Sequence, residues 1–203
     1  MVSLEPKFID ICWNSCCAFT GQNANLNTCP ICKESRYTTK KKSKKSRKQL
    51  AYFSIIDSLK LQYKNPSRAK DLRYRYEYTS KKEYTSENSK IGDVFDGNRY
   101  KTLVASGLFL DYRDVALIAS MDGYQVFKQK RNDCWVILLL NANLPPSKRV
   151  KKENLIINMV IPGPKSPKDF NSFLRPLVDE LKQLECNFFK ILNYMINSIK
   201  YIN

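Results

Sequence analysis

Two close pairs of cysteines stand near the start of the chain. In CWNSCCAFTGQNANLNTCPICKESRY (residues 12–37), three residues separate Cys12 from Cys16, two separate Cys29 from Cys32, and twelve lie between the pairs. Tetrahedral zinc takes four ligands, and each short pair presents two thiolates from one tight turn, so the layout points to a zinc ribbon or knuckle. Pro30 stiffens the turn in CPIC, whose backbone N–H groups can face the sulfurs. Cys17 is a spare thiol, either a substitute for Cys16 or simply buried. Two blander readings compete: four unrelated buried cysteines, or disulfides. Disulfides need an oxidising compartment, and MVSLEPKFIDIC carries acids and a proline where an export signal is apolar, which leads us to expect a soluble, intracellular protein. The longest purely aliphatic run, Val136 to Leu140, is far short of the ~20 residues of a membrane span, so no membrane partner is expected.

Histidine is absent, which removes Ser-His-Asp triads, Cys-His proteases, HExxH metal sites and histidine acid–base chemistry together. Any catalysis must use carboxylates, lysine, cysteine or a bound metal. Charge is the unusual property: 35 Lys and Arg against 19 acids give +16, a surplus that favours a polyanionic partner such as nucleic acid. It concentrates in residues 36–90, and KKKSKKSRK holds Lys40, Lys41, Lys42, Lys44, Lys45, Arg47 and Lys48 with no acid. Such a run is extended by self-repulsion. It reads either as a solvated linker doubling as a nuclear-import signal, or as an arm that binds phosphates directly.

The elements around these groups follow from periodicity. Leu50, Phe53, Ile56, Leu59 and Tyr63 have the spacing of an amphipathic helix that ends near Asn65-Pro66. A second helical stretch over 67–78 places Arg73 and Arg75 among Tyr74, Tyr76 and Tyr78, as a base-stacking, phosphate-binding surface or as helix surface packed on a neighbour. Residues 79–93 are polar and aperiodic, a loop and boundary. Three strands then follow: Asp114–Ser120, Cys134–Leu144 and Asn154–Gly163, with the Asp122-Gly123 pair as a turn signal after the first. A long helix is expected from Ser166 as N-cap and Pro167 as first residue, with Phe170, Phe173, Leu174, Leu177, Val178, Leu181 and Leu184 as its core stripe. The segment CNFFKILNYMINSIKYIN has the bias of unselected A/T-rich codons, and Phe188, Leu192, Met195, Ile199 and Ile202 let it extend the helix.

The succession CWNSC, CPICKESRY, YFSIIDSLKLQY, ASMDGYQVF, CWVILLLNANLPP, KKENLIINMVIPGPKSPKD and LRPLVDELKQLE resembles the transposases of CACTA (En/Spm) DNA transposons, from about Ile9 to Glu185. The resemblance implies a cut-and-paste DDE-class recombinase with an RNase H-like core behind a Cys-rich DNA-contacting region. In that class three carboxylates hold two Mg²⁺ or Mn²⁺ ions that activate a water or 3′-hydroxyl for attack on a phosphodiester. The first carboxylate lies on the first strand, and by its place in ASMDGYQVF it is Asp122. Asp96 is the competing acid, and Asp114 reads as a strand-edge residue. The second and third ligands belong to segments after the first helix; Asp179, Glu180 and Glu185 sit on that helix and do not match them.

The expected protein is therefore α+β: a zinc-ribbon-like module at 1–38, a basic helical and linker region at 39–92, the β-β-β-α opening of an RNase H-like domain at 93–186, and a divergent tail at 187–203. Its cofactor is structural Zn²⁺ on Cys12, Cys16, Cys29 and Cys32, with Mg²⁺ or Mn²⁺ only in a complete core. Its partner is DNA, the transposon ends, in the nucleus, and an open third-strand edge invites self-association. The expectation is an N-terminal fragment that binds DNA and is catalytically incomplete. The alternative is a non-enzymatic zinc-ribbon nucleic-acid-binding protein.

Overall fold

The computed structural model describes residues 4–38, 44–81, 91–125, 133–186 and 199–202. The chain is mixed α+β, built on one sheet to which distant segments contribute. Two short strands, β1 (Lys7–Asp10) and β2 (Gln49–Tyr52), come before the helices α1 (Ile55–Lys64), α2 (Pro66–Asp71), α3 (Tyr74–Thr79) and α4 (Asn98–Ala105). They are followed by β3 (Val115–Gln125), β4 (Asp133–Asn141), the short α5 (Pro146–Arg149), β5 (Ile156–Pro162), α6 (Phe170–Cys186) and β6 (Ile199–Ile202). The strands lie in the order β1-β2-β5-β4-β3-β6, antiparallel throughout except that β6 runs parallel to β3. Segments 1–38, 39–92 and 93–186 all place strands in this sheet.

Side-chain alternation sorts the sheet into two faces. Leu50, Tyr52, Val115, Leu117, Ile137, Leu139, Ile156, Met159 and Ile161 point to one, where Ile55 and Leu59 of α1 and Phe173, Leu177 and Leu184 of α6 close over them. Ala116 and Ala142 point to the other, under Phe95, Tyr100 and Phe109 from the turn Val94–Asp96, α4 and the loop after it. The central strands are covered on both sides there, which is why CWVILLLN reads as an unbroken apolar run.

Four expected elements shift. Gln49–Tyr52 is a strand, because Leu50 and Tyr52 alternate inward while Ala51 pairs with both β1 and β5; α1 starts only after Ser54, whose hydroxyl accepts from Asp57 N. The stretch 67–78 is broken into α2 and α3 at Leu72-Arg73. α6 begins at Phe170, three residues later than the expected first residue Pro167, because the residues just before it are bonded to the cysteine segment; Val178 is solvent-exposed and drops out of its stripe. Ile199 and Ile202 belong to a strand, and Phe188, Leu192 and Met195 lie outside the described residues.

The segments NANLPP and KKEN build buried polar joints. Asn141 Nδ2 donates to Gln62 Oε1 (2.9 Å), Asn143 holds Ala116 N and Asp114 O, and Gln62 Nε2 donates to Asn154 O (3.1 Å). Arg149 pairs with Asp93 (2.8 Å), both enclosed, and donates to the carbonyls of Ala142 and Leu144. A buried pair is tolerated when its remaining donors and lone pairs are satisfied, as here.

Candidate metal centre and the strand carrying Asp122

The cysteines are presented by two tight hairpins, pinned by bridges between Ile11 and Ala18 and between Thr28 and Ser35. In the first, Cys12 N donates to Cys17 O (2.9 Å) and Ser15 N to Cys12 O (2.8 Å), with Ser15 in the left-handed region at φ 56°. In the second, Cys29 N donates to Glu34 O (2.8 Å) and Lys33 N to Cys29 O (2.9 Å), with Lys33 at φ 63°. The Sγ atoms of Cys12, Cys16, Cys29 and Cys32 all lie within 4.8 Å of one another, and Cys12 and Cys32 approach to 3.4 Å. Zn–S bonds of about 2.3 Å at tetrahedral angles place sulfurs about 3.8 Å apart, so the four fit zinc. The thiols are free, at separations well beyond a disulfide bond. Cys17 is not one of the four; its sulfur is buried 3.7 Å from Cys29 Sγ.

Local electrostatics favour a cation. Burial pushes the Cys12 thiol up to about 12 and also raises Cys16 and Cys17. Burial raises Cys32 too, but the Glu34 backbone amide and the Asn14 side chain outweigh it and bring that thiol down to about 6. Cys32 is thus ready as a thiolate, while Cys12 and Cys16 need a positive charge nearby to ionise. The interior of these hairpins consists of Cys12, Cys16, Cys17 and Cys29 with Cys32 against them, so apolar packing alone offers little to hold it.

The hairpins are fused to the start of α6. Asp169 N donates to Cys16 O (2.8 Å), Lys168 N to Ser15 O (3.3 Å) and Ala18 N to Ser172 Oγ (2.9 Å), while Thr20 Oγ1 donates to Ser172 O. Further along α6, Glu180 Oε2 accepts from Ile55 N (2.8 Å), Ile56 N (3.4 Å) and Ser54 Oγ (3.1 Å), placing a carboxylate on the positive end of α1. One helix therefore links the cysteine centre to α1.

The basic residues divide into distinct groups. Lys40, Lys41 and Lys42 lie outside the described residues. Lys44 and Lys45 are exposed on a ribbon in which Tyr37 bridges Ser46 and Thr38 N donates to Lys45 O (2.9 Å). Arg47 donates to Glu34 Oε2 (2.6 Å) and stacks over Trp13. Lys48 is half-buried, donating to Ser15 Oγ and Gly163 O. Arg73 is exposed. Arg75 departs from the expected phosphate contact: its side chain is buried, donating to the carbonyls of Phe109, Asp111 and Asp114 and to Tyr100 Oη, so it ties α3 to the loop before β3. Tyr74 and Tyr78 are likewise packed on Phe95 and donate to Asp93 and Asp96; Tyr76 is the exposed one, edge-on to Tyr112.

Asp122 lies within β3, opposite Val136, with its side chain in solvent. Asp122-Gly123 is thus part of a strand that continues to Gln125, and not the hairpin turn its residue types suggest; Gly123 lies against the Trp135 ring. Asp96 is buried and accepts from Tyr78 Oη, Gly92 N and Asp93 N, and Asp114 is buried with an oxygen on Asp111 N, so both are structural. Among the described residues the four cysteines form the only metal-ready group, and no trio of carboxylates gathers at Asp122. Sequence reasoning missed Asn14, Ser15 and Lys165 beside the sulfurs and Glu180 at α1, since each acts on a partner distant in the chain.

No described helix is long and apolar enough to cross a membrane. A family model described as "Transposase family tnp2" matches residues 88–195. No curated protein and no solved structure matches the chain.

Proposed function

Since the chain belongs to the tnp2 family of transposases, we propose that it is the DNA-holding part of a cut-and-paste transposase of the CACTA (En/Spm) type, acting in the nucleus on transposon ends. The observation that carries this reading is the match over 88–195, which takes in Asp122, the β3-β4-β5 meander and α6. The strand order supports an RNase H-like core: three antiparallel strands, a helix, and a further strand parallel to the first. Asp122 is then the first carboxylate of a DDE set, on the strand where the resemblance implies it.

Two-ion phosphodiester chemistry requires several carboxylates around the metals. Among the described residues no such set gathers around Asp122, and on this reading they hold DNA without supplying a complete two-ion site. This same observation favours the second reading, a non-enzymatic zinc protein that binds nucleic acid. Zinc on Cys12, Cys16, Cys29 and Cys32 folds the N-terminal hairpins against α6, and the ribbon carrying Lys44 and Lys45 contacts the backbone phosphates of DNA.

Duplex affinity measured across salt concentrations tests the DNA assignment. Its logarithm should fall linearly with log salt, and replacing Lys44 and Lys45 by Gln should flatten the slope by up to ~2 while weakening all sequences alike. An unchanged slope removes the ribbon from the interface. Nicking of duplex by the parent chain with Mg²⁺ or Mn²⁺ would refute the catalytic part of the proposal.

A further inference from the structure

Lys48, entering β2, and Lys165, between β5 and α6, meet beside the first cysteine hairpin. Lys48 Nζ donates to Ser15 Oγ (2.7 Å) and Gly163 O (3.1 Å). Lys165 Nζ donates to Asn14 Oδ1 (2.8 Å), and Asn14 Nδ2 in turn approaches Cys32 Sγ at 3.7 Å. All three acceptors on the lysines are neutral, and among the described residues neither ammonium takes part in an ion pair. Burial pulls the Lys48 ammonium toward its neutral form, Cys12 opposes that, and the nearby Lys165 charge adds to it. Two ammoniums, one half-buried and one exposed, thus donate to neutral groups of the same cysteine hairpin, where a negative charge would favour both.

A tetrathiolate zinc centre supplies it: four thiolates and one Zn²⁺ leave two net negative charges, matched by two ammoniums. We propose that Lys48 and Lys165 are the counter-charges of the zinc centre, held in its outer shell by Ser15, Gly163 and Asn14, an inference that rests on the zinc reading above. They then act inward on the metal rather than outward on DNA. The loop 163–169 is bound to the cysteine hairpin by charge as well as by the backbone bonds of Lys168 and Asp169. Without the metal-held tetrathiolate the two lysines lose their counter-charge, and the loop at the start of α6 loosens.

The test is zinc affinity of the full chain, by competition with a chromophoric chelator at neutral pH, alongside the salt slope of duplex binding. Lys165→Gln removes an exposed side chain and should weaken zinc about tenfold or more, as outer-shell changes do. Lys165→Arg should return affinity near the parent value. Lys48→Gln should move in the same direction, and if it does not fold, Lys165→Gln decides alone. The salt slope should be unchanged in Lys165→Gln. Parental zinc affinity in that variant overturns the inference alone, and a salt slope lower by ~1 with zinc affinity intact reassigns the lysine to a phosphate. A parent chain that binds no zinc removes the metal centre and this inference with it.

Discussion

Arg75→Met tests whether a cation in the most basic third of the chain serves the core or the nucleic acid. In the structure its guanidinium donates to the carbonyls of Phe109 and Asp114 at 3.1 Å, to Asp111 O, and to Tyr100 Oη at 3.1 Å, with the side chain fully enclosed. Methionine keeps most of the volume but deprives these acceptors of a partner. Asp114 O retains Asn143 Nδ2, and the Tyr100 hydroxyl can turn to donate. Asp111 O keeps its bond from Asp114 N. Phe109 O is left unpaired at about 1–3 kcal/mol, so with the lost charge-assisted bonds the cost is about 2–4 kcal/mol. For a chain of this length that corresponds to a fall in Tm of roughly 5–15 °C. Thermal melts followed by circular dichroism measure it, with Arg73→Gln, an exposed neighbour, expected to leave Tm unchanged. Arg75→Met melting within ~2 °C of the parent, together with a salt slope of DNA binding lower by ~1, would refute the packing argument and restore Arg75 to the interface.

Other expectations follow from the same geometry. Metal analysis should find close to one zinc per chain, and chelation should lower Tm by roughly 5–10 °C if zinc is present at about 100 times its Kd; an unaffected melt would mean the cysteine hairpins stand without an ion. Glu180→Gln should cost about 1–2 kcal/mol by removing the carboxylate from the α1 N-terminus, with Glu180→Ala costing more, both read from urea unfolding. For Asp96, burial raises the carboxyl but the Tyr78 hydroxyl and the Gly92 and Asp93 amides outweigh it and hold it below the ordinary 3.8. Its contribution is therefore complete above that value and disappears as pH falls through the lower folded pKa, so Asp96→Asn should flatten stability profiles below about pH 4; parallel profiles would remove Asp96 from the acid response.

Local signals in the sequence were reliable where one residue's neighbours in the chain are also its neighbours in space. The cysteine pairs are of this kind, since each turn is made by its ligands and the residues next to them in the chain, and so is the apolar stripe of α6 through Phe173, Leu177 and Leu184. The same signals misled where a distant partner decided. Leu50 fits both the helical stripe with Phe53 and the strand alternation with Tyr52, and pairing with β1 and β5 settles the segment as strand. Asp122-Gly123 has the residue types of a turn, yet nine consecutive pairs with β4, from Leu117 to Gln125, carry the strand through it. Ser166-Pro167 can begin a helix, but the bonds from Lys168 and Asp169 to the cysteine hairpin take up the backbone there.

What the amino-acid order determined by itself was chemistry of composition and short range: no histidine catalysis, four cysteines paired so that they can hold a metal, a cationic middle, and strands and helices in nearly the right places. Only the tertiary structure decided which charges face solvent. Arg75, Lys48 and Lys45 are all cations in the same stretch of sequence, but one fills a core, one donates into the first cysteine hairpin through Ser15 and one is exposed on a ribbon. The physical reason is that a cation's role is set by the acceptors and the solvent around its head group. Here those acceptors, Asp114 O for Arg75 and Gly163 O for Lys48, arrive from 39 and 115 residues away.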